Sequence, residues 1–345
     1  GIAGPPIFAG EQAQVLWQTT LKERIGHSWS GARVHFRLPE GISPDWSRHR
    51  LVLAEGEATT EIPFEAGESI WCLVDLPAFA EKTLRLEAAP ASRDLLAPMA
   101  AVEQKDRSVI ENGALRIEVP RDIAKTVAEE AAPPPLLRMQ NAGGSPWVGS
   151  GRFKGTGALL SLKASPFPGH VWASAGLAYE FEKGTYIVAL RIIRGQPEVL
   201  WTEQFECKEP GAALELELSG FEPSFGVWDY YRSKCDWRKT GLGISKAYPI
   251  EPGHEETTTF TPWIQWWMND VSTWLELWDA QKDWAVGVFT GNPLTWKPED
   301  REAYKAAAFT LAVSKDRKAT LRLPLGKGER TWGLSLAKRT PDERI

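Results

Sequence analysis

The chain has 345 residues, 43% hydrophobic and 25% charged, with 25 prolines, 30 glycines and a formal net charge of −5. That balance belongs to a folded chain rich in turns and poor in long helices, and it excludes disorder throughout. Lys and Arg alternate with acids rather than forming the kind of stripe that neutralises phosphates, so nucleic acid is not an expected partner.

Along the chain the first clear element is Trp29 to Leu38, where Val34, Phe36 and Leu38 alternate with Arg33, His35 and Arg37 as in a strand with one buried face. Strand signals follow at Arg50 to Leu53, Ser69 to Leu76 and Thr83 to Leu86, separated by acidic, Gly-bearing and Pro-bearing turns. They predict an N-terminal β-sandwich over residues 1–95. Between Glu87 and Arg107 alanine, proline and charge dominate, which predicts a connector with one short helical turn and a linker at 96–107.

A second domain over 108–345 is expected to open with E-N-G-A-L-R-I-E-V-P, where Leu115, Ile117 and Val119 alternate after the Asn112-Gly113 turn. Arg121 to Arg152, with A-A-P-P-P-L-L and N-A-G-G-S-P-W, predicts a long surface loop. Gly184 to Cys207 reads as two strands around Gly195-Gln196-Pro197, with A-L-E-L-E-L as the third strand of an antiparallel meander. Pro298 to Ala308 is a short helical candidate, and F-T-L-A-V, A-T-L-R-L-P-L and R-T-W-G-L-S-L close the chain as strands.

Seven of the 17 tryptophans fall between Trp263 and Trp296. On a helical wheel Trp263, Trp266, Trp267, Trp274 and Trp278 share one side, yet Trp and Thr favour strands and Asn269-Asp270 suits a turn, so a hairpin is the preferred reading. As a strand, Trp274, Glu276 and Trp278 share one face and Thr273, Leu275 and Leu277 the other. A flat apolar ring beside a polar N–H suits stacking on sugars, and a carboxylate between two such rings resembles a sugar-binding surface more than a dry core. The candidate substrate-binding residues are therefore Trp263, Trp266, Trp267, Trp274, Trp278, Trp296, Asn269, Asp270 and Glu276. Core filling accounts for the rings equally well, and turn formation accounts for Asn269-Asp270 more cheaply.

The segment Y-I-V-A-L-R-I-I-R-G-Q-P-E-V-L-W-T-E-Q-F, the opening E-N-G-A-L-R-I-E-V-P and the closing L-P-L-G-K-G-E-R-T-W-G-L-S-L together resemble the β-supersandwich of bacterial carbohydrate-active proteins of the exo-rhamnogalacturonan-lyase-like and heparinase-like groups. The resemblance runs from about Ser108 to Leu336 and rests on strand and turn phrasing. It implies an all-β fold, a small N-terminal sandwich followed by a large antiparallel, galactose-mutarotase-like supersandwich. In those groups a helical toroid commonly accompanies the supersandwich; this chain departs from that plan in having no long series of helical segments, so the resemblance implies either a helical catalytic domain or subunit outside this chain or a member that works without one.

No catalytic residue is assigned. Tyr230, Tyr231, Arg232 and His254 are of the types that elimination next to a carboxylate requires, and Asp270, Glu276, Asp279 and Asp283 of the type that hydrolysis requires, without a spacing that selects among them. Gly149 to Gly157 lacks the Gly-Lys-Ser/Thr ending of a phosphate loop, His254-Glu255-Glu256 lacks a second histidine, and no metal site or cofactor is read. Cys72, Cys207 and Cys235 define no disulfide framework. No apolar run nears the roughly 20 residues of a membrane span, and Gly1 at the start fits removal of an export signal as well as an arbitrary cut.

The sequence predicts a secreted or periplasmic protein for polysaccharide recognition and degradation, lyase-like by the resemblance, or the β-domain of such a protein. Its partner is a polysaccharide or oligosaccharide. The alternatives are a non-catalytic protein whose Trp-rich surface docks a partner domain, and a glycoside hydrolase.

Overall fold

The computed structural model describes residues 13–56, 58–66, 69–92, 99–228, 246–249, 253, 255–260, 271–272, 274–279, 281–290 and 307–338. These residues form an all-β protein, as the sequence predicts, in two compact units. The first holds residues 1–98 with Gly169–Val171, the second 99–168 and 172–345.

The first unit contains β1 (Val15–Lys22), β2 (Trp29–Arg37), β3 (Arg50–Glu55), β4 (Ala58–Ile62), β5 (Phe64–Ala66), β6 (Ser69–Leu76) and β7 (Glu81–Glu87). They make a four-stranded sheet in the order β1-β7-β3-β4 and a three-stranded sheet in the order β2-β6-β5. Period-two alternation sends Leu51, Leu84 and Leu86 from one sheet, and Phe64, Ile70, Cys72 and Val74 from the other, into one core. Trp46 closes it, stacked on Phe64 at 4.1 Å between ring centroids.

The second unit begins earlier than the composition suggests. Where a connector with a helical turn is expected, β8 (Ala101–Glu103) pairs with β9 (Arg107–Glu111). These join β10 (Leu115–Pro120) and β11 (Arg138–Asn141) in a sheet ordered β11-β10-β9-β8. The stretch expected as a surface loop, Arg121 to Arg152, is largely packed: it contains β11, a 3₁₀ turn at Glu129–Ala131 and the start of β12 (Ser150–Lys154), and it buries Ala132, Leu136, Met139 and Val148. Its prolines carry no N–H, so an irregular Pro-rich segment leaves fewer backbone donors to satisfy on burial.

The rest is a sandwich of two large sheets. The strands are β13 (Leu159–Phe167), β14 (Trp172–Phe181), β15 (Gly184–Ile193), β16 (Glu198–Cys207), β17 (Ala213–Glu217), β18 (Phe225–Trp228), β19 (Lys246–Pro249), β20 (Glu256–Phe260), β21 (Val271–Ser272), β22 (Trp274–Asp279), β23 (Trp284–Thr290), β24 (Phe309–Val313), β25 (Ala319–Pro324) and β26 (Lys327–Lys338). Nine form a sheet ordered β13-β14-β15-β16-β26-β23-β22-β18-β19, and six a sheet ordered β12-β17-β25-β24-β20-β21, antiparallel except for the short β20–β21 pair. Their inner faces meet in an aromatic core. Phe153 of β12 packs at 5.2 Å on Tyr179 of β14, and Phe309 of β24 packs at 5.3 Å on Trp332 of β26.

The helix expected at Pro298 to Ala308 lies outside the described residues except for Ala307 and Ala308.

Candidate functional site

The hairpin β22–β23 carries the C-terminal half of the Trp-rich stretch. Its turn is held by Asp279, 1% exposed, whose carboxylate accepts N–H bonds from Gln281 at 3.2 Å and Glu222 at 3.1 Å and pairs with Lys282 at 3.3 Å. Asp283 sits in the left-handed region at φ 56°, which aspartate tolerates better than most residues. Both acids have work in the turn, which removes Asp279 from the candidates for hydrolytic chemistry.

From that turn the strands alternate. Leu275 and Leu277 point into the main core, while Trp274, Glu276 and Trp278 lie on the opposite, outer face, where Trp274 and Trp278 cluster with Ala285. Register places these residues in a lattice across the sheet. Trp274 stands opposite Phe289, Phe289 opposite Gly333, Gly333 opposite Leu200, and Leu200 opposite Arg191. One step along, Glu276 faces Gly287, Gly287 faces Ser335 and Ser335 faces Glu198; beyond it Trp278 faces Ala285, which faces Ala337. At about 4.8 Å between strands the first row is about 19 Å long.

Two glycines shape this face. A Cβ on Gly333 would lie 2.3 Å from Cζ of Phe289 and 3.0 Å from the Val199 carbonyl oxygen, so the Phe289 ring lies over Gly333. A Cβ on Gly287 would meet the Ser335 Oγ at 2.3 Å. The Phe289 ring and the Ser335 hydroxyl therefore occupy the space over the two glycines. The Trp278 Nε1–H donates to the Glu276 carboxylate, which fixes that acid between the two indoles. At the far end of the face Arg191 lies over the Trp172 ring, 5.1 Å from its centroid. The arrangement offers apolar rings, a carboxylate and a guanidinium on one surface, the mixture that binds a polyhydroxylated ligand by stacking and a few directed hydrogen bonds.

Of the sequence candidates, Trp274, Glu276 and Trp278 come together here. Trp263, Trp266, Trp267, Trp296, Asn269 and Asp270 lie outside the described residues, as do Tyr230, Tyr231, Arg232, His254 and Cys235. Phe289, Gly287, Gly333, Ser335 and Arg191 are additions. Each lies in a segment readable as a strand, but which residue faces which across the sheet is set by register, and a single strand's alternation carries no register.

Other polar clusters of the second unit are occupied. Between the two large sheets the Tyr186 hydroxyl and Arg330 Nε both donate to the carboxylate of Glu203, and Arg330 Nη1 donates to the Pro324 carbonyl at 3.2 Å. Burial pushes the Tyr179 and Tyr186 hydroxyls well above the ordinary tyrosine range, so neither serves as a base. A cavity of about 260 Å³ is lined in part by Glu111, Arg116, Gln140 and Asn141. There Arg116 pairs with Glu111, Gln140 donates to the Ser145 carbonyl and Asn141 donates to the Leu336 carbonyl. Among the described residues no three His, Cys, Asp or Glu side chains are grouped to hold a metal ion. Burial raises the Cys72 thiol to about 12 and the Cys207 thiol to about 11, leaving both inert as nucleophiles at neutral pH.

No protein-family profile and no curated protein matches the chain. Among solved structures it is similar to a protein in the glycosyl hydrolase family 38 from Enterococcus faecalis, with a TM-score of 0.50 and 10% identity over 95% of this chain and 45% of that one. An α-mannosidase from Enterococcus faecalis V583 gives a TM-score of 0.42 at 11% identity, over 95% of this chain and 43% of its own. The first likeness is one of fold. The chain spans less than half the length of either structure.

Proposed function

We propose that this chain is the glycan-contacting β-region of a carbohydrate-active protein of the glycoside hydrolase type. The observation that carries the reading is the outer face of the nine-stranded sheet, where Trp274, Phe289 and Trp278 share one surface with Glu276, which accepts the Trp278 indole N–H. The shared fold with a glycosyl hydrolase family 38 protein supports hydrolysis over elimination. A polysaccharide substrate implies an exported protein.

The rival reading is a partner domain docked on the partly buried Trp274, since Trp278, 9% exposed, and Ala285, 2% exposed, are already covered by this chain itself. Trp274→Ala separates the two. On the glycan reading, retention of manno-oligosaccharides and other neutral glycans by the full chain falls about tenfold with the oligomeric state unchanged by light scattering. Loss of assembly with unchanged glycan retention establishes docking. Mass spectrometry of the incubated glycans then fixes the chemistry: water-added fragments mark hydrolysis, and unsaturated uronate ends overturn it in favour of elimination.

A further inference from the structure

Two connections of the first unit emerge side by side. Lys22 at the end of β1 stands opposite Glu81 at the start of β7, and Trp29 at the start of β2 stands opposite Leu76 at the end of β6, so residues 23–28 and 77–80 leave the same end of the sandwich. They are laced together. The Glu23 N–H donates to the Ala80 carbonyl at 2.9 Å, the Phe79 N–H to the Glu23 carboxylate at 3.0 Å and the Ala78 N–H to the Ser28 hydroxyl at 3.1 Å. Their backbone groups thus face each other while their apolar side chains face water. Ile25 is 77% and Phe79 75% exposed, Trp29 is 45% exposed with His27 edge-on at 4.6 Å, and Pro77 and Ala78 are exposed beside them.

Phe79 is held there against its local preference. Its φ of 58° lies in the left-handed region, which a bulky residue seldom adopts, and its ring lies over Gly26, where a Cβ would come within 2.7 Å of Cζ. A chain that needed only a turn here would do better with glycine or asparagine. Backbone strain that holds a large apolar ring in water points to a contact made by that ring.

The neighbouring charges narrow the contact. Arg24, exposed next to Ile25, takes part in no ion pair among the described residues. The acids nearby are engaged. Glu23 is buried beneath the N–H groups of Ile25, Gly26 and Phe79, Glu81 pairs with Lys22 at 2.7 Å, and Asp75 accepts the Gly31 N–H at 2.7 Å and the Ser30 hydroxyl at 3.3 Å. Apolar tips, an indole set back at the start of a strand and an uncompensated guanidinium are the ordering of a segment that enters a bilayer interface. Two projecting tips suit a fluid surface that closes round them better than a protein partner, which needs about 800 Å² of matched surface on each side.

We infer that this end of the first unit is a membrane-surface contact, with Ile25 and Phe79 entering the acyl boundary, Trp29 at the level of the headgroups and Arg24 on anionic lipid phosphates. The laced loops need no rearrangement to enter. The contact goes beyond the function proposed for the nine-stranded sheet and does not depend on it.

The test is flotation of the full chain with vesicles of phosphatidylcholine alone and of phosphatidylcholine mixed with phosphatidylglycerol. The wild type should float with both, more tightly with the mixture. Ile25→Ser and Phe79→Asn, the latter chosen because asparagine tolerates the positive φ, should each weaken partitioning about tenfold on both vesicles. Arg24→Gln should weaken it about fivefold on the mixture and leave phosphatidylcholine unchanged. Brominated acyl chains should quench part of the tryptophan emission, and Trp29→Phe should abolish that quenching, which separates this tip from the Trp-rich stretch. Circular dichroism checks that each variant is folded. A wild type that floats with neither vesicle, flotation indifferent to Ile25→Ser and Phe79→Asn, or quenching that survives Trp29→Phe overturns the proposal. Dimerisation seen by light scattering and abolished by Phe79→Asn, without vesicle binding, overturns it in favour of a second copy of this chain. Trp274→Ala should float as the wild type does; its failure to float overturns the proposal by moving the contact to the nine-stranded sheet.

Discussion

At the scale of single residues the clearest device is Glu23, 7% exposed, at the end of β1. Its carboxylate accepts the N–H groups of Ile25 at 2.9 Å, Gly26 at 2.7 Å and Phe79 at 3.0 Å, so one side chain ties the turn after β1 to the turn before β7. Phe79 and Gly26 both have positive φ, 58° and 77°, conformations that need such anchoring. The Phe79 N–H foremost, then those of Ile25, Gly26 and His27, hold the Glu23 carboxyl at about 2, against an ordinary 4.5, with burial opposing them. Because the folded value lies below the unfolded one, the stabilisation is complete above about 4.5 and is lost as the pH falls towards 2. Glu23→Gln should lower the urea midpoint at pH 7 and narrow its gap to wild type steadily from pH 4.5 to pH 2. A gap that stays constant with pH would mean that shape, not charge, holds these turns.

At the scale of elements the β16–β26 pair is the spine of the second unit. Glu203 stands opposite Arg330 and Trp201 opposite Trp332, the two indoles stacking at 4.6 Å. Glu203 is 2% and Arg330 3% exposed, so the pair is fully desolvated. Removing one member leaves a buried charge uncompensated, which costs about 3–5 kcal/mol, whereas replacing both by apolar residues of similar volume is close to neutral. Arg330→Met alone should destabilise by about that amount in urea unfolding, and adding Glu203→Leu should recover much of it, less the cost of the orphaned Tyr186 hydroxyl. Equal losses in single and double variants would show that packing against Phe205 and Phe309, not charge, is what Arg330 supplies.

At the scale of the molecule two compact units with separate cores predict two unfolding transitions. The smaller unit buries proportionately less of its chain and should melt first. Calorimetry checks this: two resolved transitions, the first unaffected by Arg330→Met and the second shifted down by it. One transition in which calorimetric and van't Hoff enthalpies agree would instead make the chain a single cooperative unit.

Much of the fold was legible in the sequence because strands with one buried face write themselves as alternation. Arg33, His35 and Arg37 against Val34 and Phe36, and Trp274, Glu276 and Trp278 against Leu275 and Leu277, could be assigned to opposite faces from period two alone. β13 and β14 escaped, since A-S-A-G-L-A sets alanine, serine and glycine on both faces and gives little contrast. β8 and the packed segment after β10 escaped because alanine and proline signal turns whether or not the tertiary structure buries them. The all-β class and the outward residues of Trp274 to Trp278 were thus determined by sequence, whereas the hairpin turn expected at Asn269-Asp270 lies outside the described residues. Only the tertiary structure decided that Phe289 covers Gly333, that Glu276 faces Gly287 and Ser335, and that Phe79 lies over Gly26. Those contacts depend on register and strand order, and register is fixed by how all the strands pack together.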